Sequence, residues 1–227
     1  MHRIPALARP SLPFAARTDR RERRSAEIRA RLFRAALHLF AERGYQQTTV
    51  QDITEAADLG KGTFFNYFPT KEHVLATYGE ERVATIEHAL EKAKSVRRPV
   101  LPILRELITN LAGQSSQSPE LLRSIFAAHL SNAPILANLQ KRQRRARRLV
   151  GELFALAQDS GEVRRDISAA ELGRLTHLIF MGVTIAWSFN PDSVLRKTAE
   201  EVWQLLSPSL AISKTRAARK IRRRSRS

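Results

Sequence analysis

The 227-residue sequence contains no cysteine. This absence excludes a disulfide framework, a thiolate metal site and a cysteine nucleophile, and it fits a reducing compartment. Long hydrophobic runs are also absent, because the longest apolar stretch, 178–187, has about half of the ~20 residues that span a bilayer. We interpret that stretch as a buried helix. Pro5, Pro10 and Pro13 interrupt the N-terminal segment, which argues against a secretory signal. We therefore expect a cytoplasmic protein with no membrane partner.

Sequence signatures of common catalytic sites are absent as well. The six histidines include no pair spaced three or four residues apart, so no metal site is encoded on one helical face. The segment LGKGT lacks the spacing of a phosphate-binding loop, and no G-x-S-x-G motif occurs. We expect no enzyme, no cofactor and no metal, and a helical enzyme without a local signature remains an alternative.

Positive charge is abundant and unevenly distributed. There are 39 Lys and Arg against 22 Asp and Glu, which gives a formal net charge of +17. Residues 1–24 carry seven Arg and two acidic residues, whereas residues 213–227 carry eight Lys or Arg and no acid. The ends therefore account for +5 and +8 and the body for only +4, a pattern that predicts a polyanionic partner. One hypothesis is accordingly a nonspecific nucleic-acid-binding protein driven by its basic ends.

Apolar residues recur at helical spacing, and strict alternation over the length of a strand does not occur. In the first strong segment Ile28, Leu32 and Leu39 form one stripe, and Gly44 is a suitable C-terminal glycine. Five further stripes lie at 101–111, 121–129, 149–157, 172–186 and 194–206. The sequence therefore predicts an all-α fold of about nine helices. We expect residues 1–18 to be a flexible extension and residues 213–227, which have no apolar stripe, to be a disordered tail.

Residues 49–68 predict two short helices that are separated by a tight turn. Thr49 and Asp52 form a capping-box pattern at the start of the first helix, and the second extends from Lys61 to Phe68. Two helices joined in this way form a helix-turn-helix, whose second helix can lie in the DNA major groove. Other pairs of short packed helices have the same periodicity, so periodicity alone leaves DNA binding open. The cluster of arginines before helix 1, with Arg23 and Arg24, is placed to reach phosphates or a minor groove.

Four motifs make this segment more specific. They are F-x-x-x-G-Y at the end of helix 1, T-T-V-x-D-I-x-x-x-A at helix 2, K-G-T-F-x-N-Y-F in the second helix of the motif, and P-x-K-E after it. With these motifs, the segment from about Arg24 to Tyr78 resembles the N-terminal domain of the tetracycline-repressor (TetR) family of one-component bacterial transcription regulators. The resemblance implies a three-helix DNA-binding head at 19–78 and a helical effector-binding and dimerisation domain at 79–212.

The resemblance also implies which residues of the head face DNA. Besides Arg23 and Arg24, these are Thr49, Gln51, Lys61, Gly62, Thr63, Phe65, Asn66, Tyr67 and Lys71. Gly62 has no side chain to hold the backbone away from DNA, and Thr63 offers a methyl and a hydroxyl group. Lys61 and Lys71 would be electrostatic contacts, whereas Tyr67 fits either a DNA contact or the edge of the core.

Two positions depart from the family pattern. Phe65 stands where the family commonly has tyrosine, so a hydroxyl contact with phosphate is replaced by van der Waals packing at most. Asp58 and Gly60 replace the more usual glycine and serine of the turn, which predicts a weaker cap on the recognition helix.

Beyond the head, the last two stripes resemble the family's two-helix contribution to an intersubunit four-helix bundle. They imply a homodimer, with the alternative that these helices close the core of one chain. The implied interface residues are Leu172, Leu175, Ile179, Val183, Val194, Val202 and Leu205. An effector pocket that is largely apolar with a few polar groups could be lined by Phe126, His129, His177, Phe180, Met181 and Trp187, although such residues also occur in ordinary cores.

Six cations occupy 141–148, on all faces of about two helical turns. This run fits a solvated helix start, an acidic effector or the flank of a DNA site. Taken together, the sequence predicts a ligand-responsive homodimeric repressor that binds double-stranded DNA at a palindromic operator. An unknown small-molecule effector would release it, and in a bacterial host it would act at the nucleoid.

Overall fold

The structure is a computed structural model that describes residues 20–95, 99–115 and 118–211. These residues form nine α-helices and one isolated β-bridge, between Val163 and Ala211. The helices are α1 (Arg20–Arg43), α2 (Val50–Ala56), α3 (Lys61–Tyr67), α4 (Lys71–Ser95), α5 (Val100–Ser115), α6 (Pro119–Ser131), α7 (Ala133–Asp159), α8 (Ala169–Phe189) and α9 (Leu195–Leu210). The prediction of an all-α fold is confirmed, whereas the predicted extension at 1–18 and the tail at 213–227 lie outside the described residues.

Local signals explain where several helices begin and end. Gly44 follows α1 with φ 82°, a left-handed conformation that glycine adopts without steric cost. At the start of α2 the Thr49 hydroxyl accepts from the Asp52 amide at 3.1 Å, and the Asp52 carboxylate accepts from the Thr49 amide at 2.7 Å. These two bonds complete the predicted capping box. Ser118 caps α6 ahead of Pro119, whose missing N–H costs nothing in the first turn.

The buried apolar residues near the predicted head and those of the predicted body form largely separate clusters. In the head α1, α2 and α3 pack around Phe40, Phe64 and Phe68, and α6 adds Leu121 and Ile125 to the same cluster. The larger body core lies among α4, α5, α7 and α8, where the fully buried side chains include Leu104, Leu153 and Phe154. Because α6 belongs to the body but packs on the head's core, the two parts are coupled through apolar contacts.

Helix α8 is buried on one side only. Thr184, Trp187 and Ser188 are buried against the body, whereas Leu178 is 48% exposed and Phe189 is 71% exposed. Within the described residues α8 is also the one helix long and apolar enough to cross a membrane, with 28% of its apolar window buried. The prediction that 178–187 is a buried helix is therefore wrong for the outer half of its surface, because no other part of the described chain covers that side.

Candidate nucleic-acid interface

The helix-turn-helix is held on α1 by two arginines. The Arg31 guanidinium donates to the carbonyl oxygen of Ala57 and lies 4.0 Å from the Asp58 carboxylate, so it binds the end of α2 and the turn together. Arg43 lies 3.8 Å from the carboxylate of Asp52 in the first turn of α2. Side chains of α1 therefore position both ends of α2, a role that its periodicity did not predict.

In the turn between α2 and α3, Asp58 adopts a backbone conformation that glycine usually occupies. Asp58 has φ 50°, a left-handed conformation that aspartate tolerates better than most residues. The turn continues through the Leu59 amide, which donates to the Thr54 carbonyl at 2.9 Å. Gly60 occupies the N-cap of α3 and offers no side-chain hydrogen bond, which confirms the weaker cap predicted from the sequence.

Helix α3 has one buried and one exposed face. Phe64 is 0% exposed and, together with Phe68, anchors the helix in the head core. On the opposite face Phe65 is 48% exposed, and its ring meets that of Phe64 edge to face at 5.6 Å. Of the other predicted groove-facing residues, Lys61, Gly62 and Asn66 are exposed, and Thr63 and Tyr67 are partly buried.

A Cβ atom at Gly62 would meet nothing within 4 Å beyond its own part of the helix, so the space beside this residue is open. The exposed face contains one cation and no acid, since Lys61 is the single charged residue of α3. Thr49 and Gln51 are exposed beside it at the start of α2, and Arg23 and Arg24 are exposed on the first turns of α1. A helix face with one cation and no acid, flanked by further cations, suits a groove lined by phosphates.

Lys71 has a role inside the head that the motif did not reveal. Its ammonium donates to the carbonyl oxygens of Tyr45 and Thr48, each at 2.8 Å, and lies 4.2 Å from the centroid of the Tyr45 ring. Burial lowers the pKa of Lys71 below its usual value. Two of its three N–H groups thus hold the loop between α1 and α2, which leaves one for a phosphate.

Tyr45 connects this loop to the body. Its hydroxyl donates to the Glu72 carboxylate at 2.8 Å, and its backbone amide donates to the hydroxyl of Ser124 on α6, also at 2.8 Å. Burial, followed by the bond to Glu72, raises the pKa of Tyr45. The G-Y pair of the family motif includes Tyr45, but the sequence did not predict its bond to Ser124.

The six predicted pocket residues do not line one common cavity. Phe180 alone among them lines an apolar cavity of ≈ 170 Å³ between α8, α9 and α5. Trp187 is buried in a small third cluster with Leu122 and Leu195, and its indole N–H donates to the Ser193 carbonyl at 2.5 Å. Phe126 packs against this cluster. Met181 is partly buried. The remaining two, His129 and His177, each bury an Nε2 atom that has no hydrogen-bond partner among the described residues.

The predicted dimer residues divide into three groups. Leu205 and Val194 are 77% and 62% exposed, as an interface with a second chain requires. Leu172, at 4% exposure, is a core residue of this chain, so its assignment to the interface is corrected. Its position follows from Gly173, where a Cβ atom would lie 2.6 Å from the Gly151 backbone nitrogen, so that α8 is pressed against α7. The others, Leu175, Ile179, Val183 and Val202, line the apolar cavity between α8 and α9.

The basic run 141–148 lies within α7 rather than at its start. Arg145 is paired with Glu80 at 3.2 Å and with Glu87 at 2.5 Å, and Lys141, Arg144 and Arg148 are exposed. The interpretation as a solvated segment therefore holds for four of the six cations. It is wrong for Arg142, which is buried with 8% of its surface exposed.

Comparisons with known proteins agree with this geometry. Residues 32–78 match the family of bacterial regulatory proteins, tetR family. The HTH-type transcriptional regulator TcmR of Streptomyces glaucescens is 39% identical over 77 residues, which are 34% of this chain and 32% of TcmR. The chain thus spans about a third of the length of that curated relative.

Two solved structures resemble the chain over most of its length. Thermus thermophilus FadR, a TetR family transcriptional repressor solved in complex with lauroyl-CoA, is 31% identical and matches with a TM-score of 0.56 over 79% of this chain and 92% of its own. SmeT, the repressor of a Stenotrophomonas maltophilia multidrug efflux pump, is 21% identical with a TM-score of 0.66 over 82% of this chain and 91% of its own. The family match, the similarity to FadR and the all-helical fold of the described residues together establish that the chain belongs to the TetR family of transcriptional regulators.

Proposed function

We propose that this protein is a sequence-specific DNA-binding repressor that acts as a homodimer and is released from a palindromic operator by a small molecule. Such a protein acts in the cytoplasm, at the bacterial nucleoid, and performs no catalytic step. The observation that carries the proposal is α3, a helix whose buried face is fixed by Phe64 and whose opposite face exposes Lys61, Phe65 and Asn66.

Direct readout by this face supports the sequence-specific part of the proposal. Asn66 can pair with adenine, and the Thr63 methyl and the Phe65 ring can contact a thymine methyl group. Lys61 supplies a cation for guanine or a phosphate. Because the face contains no carboxylate, it meets a phosphate-lined groove without repulsion.

The uncovered side of α8 and α9 supports the homodimer. Exposed leucine, isoleucine, valine and phenylalanine side chains lie along both helices, from Leu175 to Phe189 and at Val194 and Leu205. An apolar patch of this kind on a soluble protein marks an interface. A second copy that places its α8 and α9 on the same face would bury it and would put two heads on one twofold axis, as a palindrome requires.

A change in the spacing of the two heads would explain release from the operator. A small molecule that binds one arrangement of the body more tightly than the other shifts the population towards it. Reversal from 99:1 to 1:99 requires about 5.5 kcal/mol of differential affinity.

Selection of genomic fragments from the host by the purified full-length protein tests the DNA-binding part. We expect a palindromic sequence to be enriched and to bind at least roughly 10³-fold more tightly than random DNA at ~0.15 M salt. Lys61→Ala should weaken binding to the selected site, whereas Lys94→Ala, at an exposed position near the end of α4, should leave it unchanged. Equal affinity for selected and random DNA would contradict the proposal and would favour nonspecific binding through the basic ends. Loss of all DNA binding on deletion of residues 213–227 would have the same meaning.

Light scattering of Leu205→Glu tests the dimer. The substitution places a carboxylate on the exposed apolar side of α9, and we expect a monomer. Gln204→Glu is the matched control, because it adds the same charge one residue away. Gln204 donates to Glu200, which pairs with Arg105 of α5, so its side chain faces the body. A monomeric wild-type protein at micromolar concentration would contradict the dimer.

A further inference from the structure

Arg142 of α7 is a buried cation without a matching anion. Its side chain is 8% exposed, and its Nε atom has no hydrogen-bond partner among the described residues. The nearest acidic influence is Glu80, but the Glu80 carboxylate is bound to Arg145 at 3.2 Å and is half exposed. Burial of a charge is unfavourable unless it is paired, so a buried guanidinium in this state requires an explanation.

Gly79 of α4 shows that the position of Arg142 is built into the fold. A Cβ atom at residue 79 would lie 2.4 Å from the Arg142 Nε atom and 3.0 Å from its Cζ atom. Only glycine therefore lets the guanidinium lie against α4 where it does. Glycine inside a helix reduces helix stability relative to alanine, so two unfavourable features, the glycine and the unpaired cation, coincide at one point.

A second arginine lies one turn further along the same face of α4. Arg82 follows Gly79 by three residues, a spacing that places both on one side of the helix. Its guanidinium lies 5.9 Å from the centroid of the Tyr78 ring and 5.7 Å from that of Phe180, and it donates to the Ser115 hydroxyl at 2.6 Å. Within the described residues no carboxylate lies within 4.0 Å of it, although ion pairs are common elsewhere on this protein.

Two histidines flank these arginines. Burial and then the charges of Arg147 and Arg82 lower the pKa of His177 to about 4. Burial also lowers the pKa of His129, which donates from Nδ1 to the Ile125 carbonyl at 2.6 Å and feels the charge of Arg142. The Nε2 atoms of both are buried without a partner among the described residues. The interior of the body thus holds a positive region in which three buried atoms, Arg142 Nε and the Nε2 atoms of His129 and His177, have no partner among the described residues.

We propose that Arg82 and Arg142 bind the anionic head group, a carboxylate or a phosphate, of an amphiphilic effector. The head group lies between α4 and α7, beside Arg82 and Arg142, with His129 and His177 near these two cations. An anionic group accepts from both guanidinium groups and supplies the missing counter-charge. This inference rests on the proposed function, because it names the class of effector that the regulator senses.

The apolar part of the effector follows from Phe180. This ring stands beside the Arg82 guanidinium and also lines the apolar cavity of ≈ 170 Å³ between α8 and α9. A hydrocarbon chain that extends past Phe180 enters aliphatic surroundings formed by residues such as Ile108, Leu175 and Ile179. The head group and the chain thereby find separate environments, as an amphiphile requires.

Calorimetric titration of the full-length protein without DNA tests the proposal. The probes are octanoate, octyl phosphate, 1-octanol and octylamine, which each have eight carbon atoms in a linear skeleton and differ in the polar group at its end. We expect octanoate or octyl phosphate to bind at least about tenfold more tightly than 1-octanol, and octylamine to bind most weakly. The tighter of the two anions identifies the head group. Equal affinity for the anions and 1-octanol would overturn the proposal.

Variants identify the binding residues. Arg142→Met and Arg82→Met should remove the preference for the anion, whereas Arg144→Met, on the exposed side of α7, should retain it. Gly79→Ala keeps both charges but displaces the Arg142 guanidinium, and it should also reduce affinity for the anion. Loss of the preference in Arg144→Met and its retention in Arg142→Met would overturn the proposal in favour of the exposed cations.

Thermal unfolding separates a binding role from a structural one. Replacement of an unpaired buried cation by methionine should raise the melting temperature, so Arg142→Met should be at least as stable as wild type while it fails to bind the anion. A destabilised Arg142→Met that still prefers the anion would show a structural role and would overturn the proposal. The titration is done without DNA, so it tests the anion site independently of DNA release. If octanoate binds but does not weaken operator binding, the anion site stands and only the proposed release mechanism is contradicted.

Discussion

The backbone amide of Tyr45 donates to the hydroxyl of Ser124 at 2.8 Å, across 79 residues of sequence. Tyr45 lies in the loop before α2, and Ser124 lies on α6 of the body. Both residues are buried, with 4% and 8% of their surfaces exposed. This bond therefore couples the position of the DNA-reading helices to that of α6.

Ser124→Ala removes the acceptor and leaves a buried amide unsatisfied. We expect the free energy of unfolding to fall by about 1 to 3 kcal/mol and the response of DNA binding to the effector to weaken. Ser131→Ala is the matched control, because Ser131 lies on the same helix and accepts from Gln46 at an exposed site. Urea unfolding and DNA titration with and without effector measure both effects. An unchanged response in Ser124→Ala would show that this bond does not transmit the signal.

Gly62→Ala should separate stability from DNA binding. Alanine favours a helix over glycine by up to about 1 kcal/mol, and a Cβ at this position meets nothing within 4 Å. We expect the head to be slightly more stable and its affinity for the operator to be lower, because the added methyl group points to the DNA. Denaturant melts and operator titrations check the two effects. Undiminished affinity would place the DNA against another face of α3.

Lys71→Met and Lys61→Met should have opposite consequences. Lys71 donates to two carbonyl oxygens at 2.8 Å, so its loss should reduce the free energy of unfolding by about 2 kcal/mol. Lys61 is exposed and makes no such bond among the described residues, so its loss should leave stability unchanged and weaken operator binding. The comparison uses the same substitution in adjacent helices. Equal stability of the two variants would contradict the structural role of Lys71.

His177 should make the fold sensitive to mild acid. Its pKa is about 4 in the folded protein against 6.5 in the unfolded chain, so only the unfolded chain takes up this proton between those values. Stability is thus complete above pH 6.5 and falls as the pH drops towards 4. At pH 5 the expected loss is about 2 kcal/mol.

His177→Gln should lose less stability than wild type between pH 7.5 and pH 5, as measured by urea unfolding at each pH. His129 contributes with the same sign in both proteins and therefore cancels from the comparison. Identical losses in the two proteins would show that folding does not lower the pKa of His177.

The elements of the head were predictable because their signals are local. The Thr49 and Asp52 capping box, Gly44 and the periodicity of α1 depend on residues within a few positions of one another. Phe64 and Phe68 were predicted as core for the same reason, and both are buried. Local physical chemistry therefore determines where these helices begin and end, whereas the contacts of Arg31, Arg43 and Ser124 that hold them in place join residues further apart in the sequence.

The interior of the body could not be read in the same way. Arg142 belongs to a run of six cations, and nothing in the run distinguishes the one that is buried from those in solvent. Its burial depends on Gly79, 63 positions earlier, and on the packing of α7 against α4. Leu172 was likewise misplaced, because the contact between Gly151 and Gly173 that buries it joins two separate helices.

That glycine contact limits how the body can rearrange. The backbones at Gly173 and Gly151 are so close that a Cβ atom at Gly173 would clash, so α8 is packed closely against α7 at this point. We therefore expect the two helices to move together. A ligand that displaces α7 from the interior would therefore also tilt the exposed surface of α8. In a dimer that packs through α8, such a tilt would change the distance between the two chains when the ligand binds.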